Sequence, residues 1–174
     1  MADAYARKLT AESIERCRTH PGGDAAVWSM QDVVEHLVLT YRGTVVHSEK
    51  YLQRGIPTRK RAGLGQAIAR MFVVGLGRFP PGVKSPEFVL PGRSGMAATD
   101  GRALAALLRE ELGRLDLQLT RCEAVFGDGR IAPHFRLGPL SAGEWRKFHV
   151  VHGWHHLRQL SRIEAQIRQP AAPG

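Results

Sequence analysis

An all-α fold built as a four-helix bundle is what this chain predicts, and three observations carry it. Four long segments repeat apolar residues at helical spacing. Capping residues or Pro/Gly breakers bound each of them. At 174 residues and 43% apolar, the chain can bury one sizeable core and has little room for two. Long amphipathic helices of similar length are what a four-helix bundle requires.

The first helix is expected over about 3–18, stopped by His20-Pro21-Gly22-Gly23. The second covers about 30–54. Ser29 is its N-cap, Asp32 sits at N3, and Trp28 is placed to staple onto Val33. A long excursion over 55–95 follows, with a short helix at 64–76 and then a Pro- and Gly-rich stretch. Connections this long inside a domain usually cover something or carry function, and 84–91 is a candidate lid over one mouth of the bundle. The third helix follows Thr99 and carries Leu104, Leu108, Leu112, Leu115, Leu119, Cys122 and Phe126 on one stripe, closed by Gly127-Asp128-Gly129. In the fourth, Ser141-Ala142-Gly143-Glu144 is a capping box and Leu140 can staple onto Trp145. It runs to about Gln169, so the domain is expected over 1–169, with a disordered tail at 170–174.

The fourth helix also holds the most informative residues. Four of the eight histidines fall between His149 and His156. At about 100° per residue, Trp145, Phe148, His152, His156, Gln159, Ile163 and Ile167 share one stripe. His152 and His156 thus stand one turn apart on a face otherwise built for a core. Two hydrogen-bonded core histidines are the plainer reading. An i, i+4 pair of neutral imidazoles can also point two ring nitrogens at one ion, and that reading is preferred here. On the second helix, His36 lies beside Val33, Leu37 and Thr40 at the edge of the inward face. Alone it is a weak ligand candidate. With the pair it completes a three-imidazole set that leaves metal positions open, the layout of catalytic rather than structural zinc sites.

These residues also carry a resemblance. Trp28-Ser29-Met30-Gln31-Asp32-Val33-Val34-Glu35-His36-Leu37, followed at the other end by His152-x-x-His155-His156-Leu157-Arg158-Gln159, resembles the DinB/YfiT-like superfamily of metal-binding four-helix bundles. The match is closest to an uncharacterised subgroup with W-P-x-G-x-x-x-P in mid-chain and H-P-x-x-G before the final cluster. Here those places hold Phe79-Pro80-Pro81-Gly82-Val83-Lys84-Ser85-Pro86 and His134-Phe135-Arg136-Leu137-Gly138, so Phe79 replaces Trp and Phe135 replaces Pro. The resemblance spans roughly residues 25 to 165. It implies an up-down-down-up bundle with a crossover between helices two and three, and His36, His152 and His156 as ligands for nickel or zinc. It implies no single reaction: relatives include thiol-dependent transferases and isomerases using mycothiol or bacillithiol. A small-molecule substrate, such as a low-molecular-weight thiol, and a homodimer are the matching expectations.

Other polar residues carry lesser roles. His155 flanks the stripe and could replace His156 as ligand, or act in acid/base chemistry. His134, in the loop before helix four, either bonds loop backbone or transfers protons at the bundle mouth. His149 is expected half-exposed on the other flank. His47 lies about 16 Å along the helix from His36, too far for the same ion. Gln159 could hold a ligand histidine. Asp32 could orient His36, although capping suits it better.

A net charge of +9 raises a competing class. Lys50, Arg54, Arg59, Lys60, Arg61, Arg70, Arg78 and Lys84 form a run without an acid, the electrostatic footprint of a nucleic-acid binder. No zinc-finger, RNP-like or helix-turn-helix motif accompanies it, so a solvated surface is preferred. A non-catalytic basic scaffold remains the alternative of another class. Positive potential would also gather anionic substrates at a cleft. There is no G-x-S-x-G, P-loop or H-E-x-x-H. Without that glutamate a metal-dependent hydrolase, the runner-up reaction, lacks the usual general base. Cys17 and Cys122 suggest neither a disulfide framework nor a thiolate site. No apolar run resembles a signal peptide or membrane span, so a cytoplasmic location without membrane contact is expected.

Overall fold

The computed structural model describes residues 1–80 and 82–168; the expected tail at 170–174 lies outside them. The described chain is predominantly helical. In order it forms α1 (Ala2–Leu9), α2 (Ile14–Arg18), α3 (Met30–Arg54), α4 (Leu64–Arg70), α5 (Gly101–Phe126), the strands β1 (Arg130–His134) and β2 (Gly138–Ser141), and α6 (Ala142–Arg168). A π-helical turn, Met71–Gly75, extends α4, and a 3-10 turn spans Glu87–Val89. No described helix is long and apolar enough to cross a membrane.

The long helices begin where their caps place them. At α3, Asp32 N–H donates to Ser29 Oγ (3.2 Å) while Ser29 N–H donates to Asp32 Oδ2 (2.8 Å). At α6, Glu144 N–H donates to Ser141 Oγ (3.3 Å) and Ser141 N–H to Glu144 Oε2 (3.0 Å). Each pair satisfies two backbone donors that a helix start leaves open. At α5 Asp100 is the cap, accepting from Ala103 N–H at 2.8 Å. Helix periodicity places the core residues: Leu104, Leu108, Leu115, Leu119 and Cys122 of α5 are buried, as are Val33, Val34, Leu37 and Tyr41 of α3.

The chain divides into two compact units. The first comprises Met1–Thr40, Lys84–Glu111 and the described part of Trp154–Gly174. Its buried side chains include Tyr5, Leu9, Met30, Leu104 and Leu160. The second comprises Tyr41–Val83 and Leu112–Gly153, with Leu119, Ile131, Leu140, Trp145 and Phe148 buried.

Two features depart from the expected all-α arrangement. The first helix is broken: α1 stops at Leu9, and α2 starts afresh with Ser13 accepting from Arg16 N–H at 3.3 Å. The break lets the Glu12 carbonyl accept the Gly101 N–H at 3.0 Å, which satisfies a donor at the start of α5. The approach is close enough to demand glycine. A Cβ on Gly101 would lie 1.8 Å from the Leu9 carbonyl oxygen. Gly101→Ala is therefore expected to cost at least the ~1–3 kcal/mol typical of overpacking. Gly113→Ala, on the same helix with nothing within 4 Å, should be neutral or stabilising. Thermal denaturation of the two variants checks this, and equal melting temperatures would refute it.

The second departure is the antiparallel β1–β2 pair, where a loop was expected. Arg130 pairs with Ser141, Ala132 with Leu140, Pro133 with Pro139 and His134 with Gly138, with an irregularity between Arg130 and Ala132. The two facing prolines donate nothing to the ladder, so the pair is held by few bonds. Burial of Ile131, Ala132 and Leu140 holds it instead. Gly138 has φ 72°, and a Cβ there would meet the Ala62 Cβ at 2.8 Å. The α4 segment secures this side through Gln66 Nε2 to Phe135 O (3.2 Å) and Arg70 Nη1 to Pro139 O (3.2 Å).

Candidate metal centre

The apolar stripe of α6 leaves His152 and His156 buried between Phe148 and Ile163, at 5% exposure each. His36, on α3, is 3% exposed. Each of the three offers one ring nitrogen, and these atoms all lie within 4.8 Å of one another. Imidazole–zinc bonds of about 2.0–2.1 Å let two ligand nitrogens sit at most about 4.2 Å apart, so only small side-chain adjustment separates this group from a coordination sphere.

The hydrogen bonds set the tautomers as a metal would need them. His36 Nδ1 lies 2.8 Å from the Val89 carbonyl oxygen, which can only accept. His156 Nδ1 lies 2.7 Å from Gln159 Oε1. In both rings Nδ1 therefore carries the proton and Nε2 the lone pair. That is the outer-shell pattern typical of metal-binding histidines. Gln159, on the same stripe, thus bonds the His156 ring. Asp32 does not orient His36: its carboxylate is used in the capping pair with Ser29. The Val89 carbonyl, supplied by the 3-10 turn within the expected lid segment, orients His36 instead.

Aromatic rings wall these imidazoles. Trp28 stacks on His156 (centroids 6.3 Å, 14° between planes) and tilts against His36 (5.1 Å). Phe148 stacks on His152 (5.3 Å, 11°), with Phe79 on it at 5.3 Å. Burial disfavours the charged imidazolium. It lowers the His36 pKa, and with the neighbouring His36 it pushes His156 down to about 3. Neutral, desolvated nitrogens with fixed tautomers are donors suited to a borderline divalent ion.

The other histidines fall outside this group. His155 is half-buried with its ring perpendicular to that of His156 at 5.1 Å, and burial followed by Arg162 and Arg158 lowers its pKa. His134 ends β1, where its Nδ1 accepts from Arg136 N–H (3.1 Å) and Leu137 N–H (3.2 Å), the backbone-bonding role. Burial takes its pKa down to about 4. His149 is not half-exposed as expected: it is 2% exposed, with Nε2 3.1 Å from Thr44 Oγ1 and its ring against Tyr41 and Trp145. His47 packs against Tyr51 and stands apart from the triad. A separate polar cavity of about 280 Å³ is lined by Arg18, His20, Asp32 and Glu35, among others.

The comparisons with known proteins agree in being reticent. No curated protein and no solved structure matches the chain. Residues 104–163 match a family described as a protein of unknown function (DUF1569), and that stretch includes His152 and His156 but not His36. The match covers less than half of the chain, from within α5 through the β1–β2 pair to within α6.

Proposed function

We propose that this chain is a DinB-like metal protein in which His36, His152 and His156 hold one divalent ion, nickel or zinc, and that it is a metal-dependent enzyme acting on small molecules. One observation carries the reading: three buried ring nitrogens within 4.8 Å of one another, on histidines of which two have Nδ1 committed to an oxygen. The finer fold reading is an up-down-down-up bundle of α1/α2, α3, α5 and α6, with the excursion over 55–95 as its crossover. When bound, such an ion supplies Lewis acidity, holding a thiol as its thiolate or acidifying a water.

No glutamate follows His152 as it does in H-E-x-x-H, where that residue is the general base. This favours a thiol-dependent transferase or isomerase over a hydrolase. The chain's own residues would orient and shield. Gln159 and the Val89 carbonyl fix ring direction, while Trp28, Phe79 and Phe148 keep bulk water from the nitrogens. Within the basic run, Arg70 is matched by an acid, Glu144, at 3.7 Å, and no nucleic-acid-binding motif accompanies the run.

Elemental analysis of protein prepared without nickel-affinity chromatography is the test. About one divalent ion per chain is expected at neutral pH, because the ligands must be deprotonated to bind. Protein that takes up no nickel, zinc, iron or manganese after reconstitution would overturn the reading.

A further inference from the structure

We infer that Gln31, Glu35 and Ser94 are positioning residues, forming a clamp that sets the metal affinity of the triad without touching the ion. They do so by holding the segment 84–99 so that the Val89 carbonyl stays on His36 Nδ1. The inference rests on the metal reading above and assigns its control to residues outside the ligand set.

The clamp is built from the turn of α3 that leads into His36. Gln31 uses both ends of its amide: Nε2 donates to Ala97 O (3.0 Å), and Oε1 accepts from Thr99 N–H (3.1 Å). One turn on, Glu35 Oε1 accepts from the Ser94 N–H (2.9 Å) and the Ser94 hydroxyl (2.6 Å). Ser94 Oγ in turn accepts from Met96 N–H at 3.1 Å. Both acceptors are buried, Glu35 at 4% exposure and Gln31 at 8%. A backbone hydrogen bond from Gly92 adds to those from Ser94 on the Glu35 carboxylate. At the far end of the same segment, the turn Glu87–Val89 buries Val89 and delivers its carbonyl to the residue next to Glu35.

Burying a carboxylate is costly unless its lone pairs are met, and apolar contacts would tether a loop at lower cost. What the polar clamp adds is direction. Hydrogen bonds at both ends of Gln31 and two on one Glu35 oxygen fix backbone orientation in a way apolar packing does not. The Val89 carbonyl needs that orientation. Without it the His36 ring can rotate or move its proton to Nε2, and the lone pair that would bind the ion is lost. Outer-shell substitutions of this kind typically cost about 10–100-fold in metal affinity. By reciprocity, metal binding should tighten the segment by the same factor.

The experiment is zinc affinity by competition titration, together with amide hydrogen exchange over 87–99, on full-length wild type, Glu35→Ala, Glu35→Gln and Ser94→Ala. Glu35→Ala and Ser94→Ala should weaken zinc about 10-fold or more while still binding one ion. Glu35→Gln, which keeps an acceptor for Ser94, should recover most of the affinity. Zinc should slow exchange of 87–99 in wild type and much less in Glu35→Ala. Ser94 is on the partly exposed segment, so its variant tests the clamp even if Glu35→Ala fails to fold. Variants that lose exchange protection but bind zinc within twofold of wild type would show a purely structural tether and overturn the clamp alone. Wild type that binds no zinc would overturn the metal reading and the clamp with it.

Discussion

His156→Ala is expected to abolish tight metal binding and, with it, the metal-dependent rise in melting temperature. The same holds for His152→Ala and His36→Ala, since each removes one of three nitrogens in the group. The lost stabilisation follows from linkage: an ion at 100 times its Kd adds about 2.7 kcal/mol to the native state, and at 1,000 times about 4.1 kcal/mol. Two neighbours on α6 are the controls. His155→Ala should retain one ion per chain, because its ring stands against His156 but outside the group. His149→Ala should also retain the ion, yet lose stability in the metal-free protein, because it empties a buried site and leaves Thr44 without its imidazole contact. Metal titration followed by calorimetry separates these outcomes. Equal loss of metal from His155→Ala and His156→Ala would show that the wrong face of the helix has been assigned.

Acid should begin to destabilise the metal-free protein above the range where its carboxylates titrate. Burial holds His134 at about 4, and His149 and His156 at about 3, against an ordinary value of 6.5. The unfolded chain takes up these protons as pH falls through 6.5, whereas the folded chain resists until pH 3–4. Between those limits the unfolded state binds more protons, so stability declines as pH drops. Each histidine contributes about 1.4 kcal/mol per pH unit, so three together approach about 4 kcal/mol per unit. Against a typical total of about 5–15 kcal/mol, two pH units below 6.5 can unfold the metal-free chain. Glu35 and Glu164 have lowered pKa values and lose their contribution only below the ordinary carboxylate value of 4.5. The window above pH 5 therefore belongs to the histidines. Urea unfolding at pH 8, 7, 6 and 5 measures the slope. A metal-free protein equally stable at pH 7 and pH 5 would contradict the burial of these rings, and bound metal should steepen the fall by competing with protons for the triad.

What the sequence by itself determined is what acts within one helical turn. The reciprocal caps Ser29/Asp32 and Ser141/Glu144, the buried stripes of α3, α5 and α6, and the short helix at 64–76 are all relations among residues three or four apart. Periodicity and capping encode these directly. The pairing of His152 with His156 and the bond from His156 to Gln159 belong to the same class. His36 was legible only through that pair and the family resemblance, because nothing local distinguishes it from a core-edge histidine. Tertiary structure decided the rest. The stop at Leu9 depends on the close approach of Gly101, and the β1–β2 pair on burial of Ile131 and Leu140 despite its facing prolines. His149 sits on the flank of its helix wheel, yet Thr44, Tyr41 and Trp145 enclose it. Above all, His36 takes its orientation from a carbonyl 53 residues away. A backbone oxygen has no side-chain signature, so no pattern of residue types could have named Val89. Only the folded chain, with Gln31 and Glu35 gripping the segment beyond it, brings that oxygen to the ring.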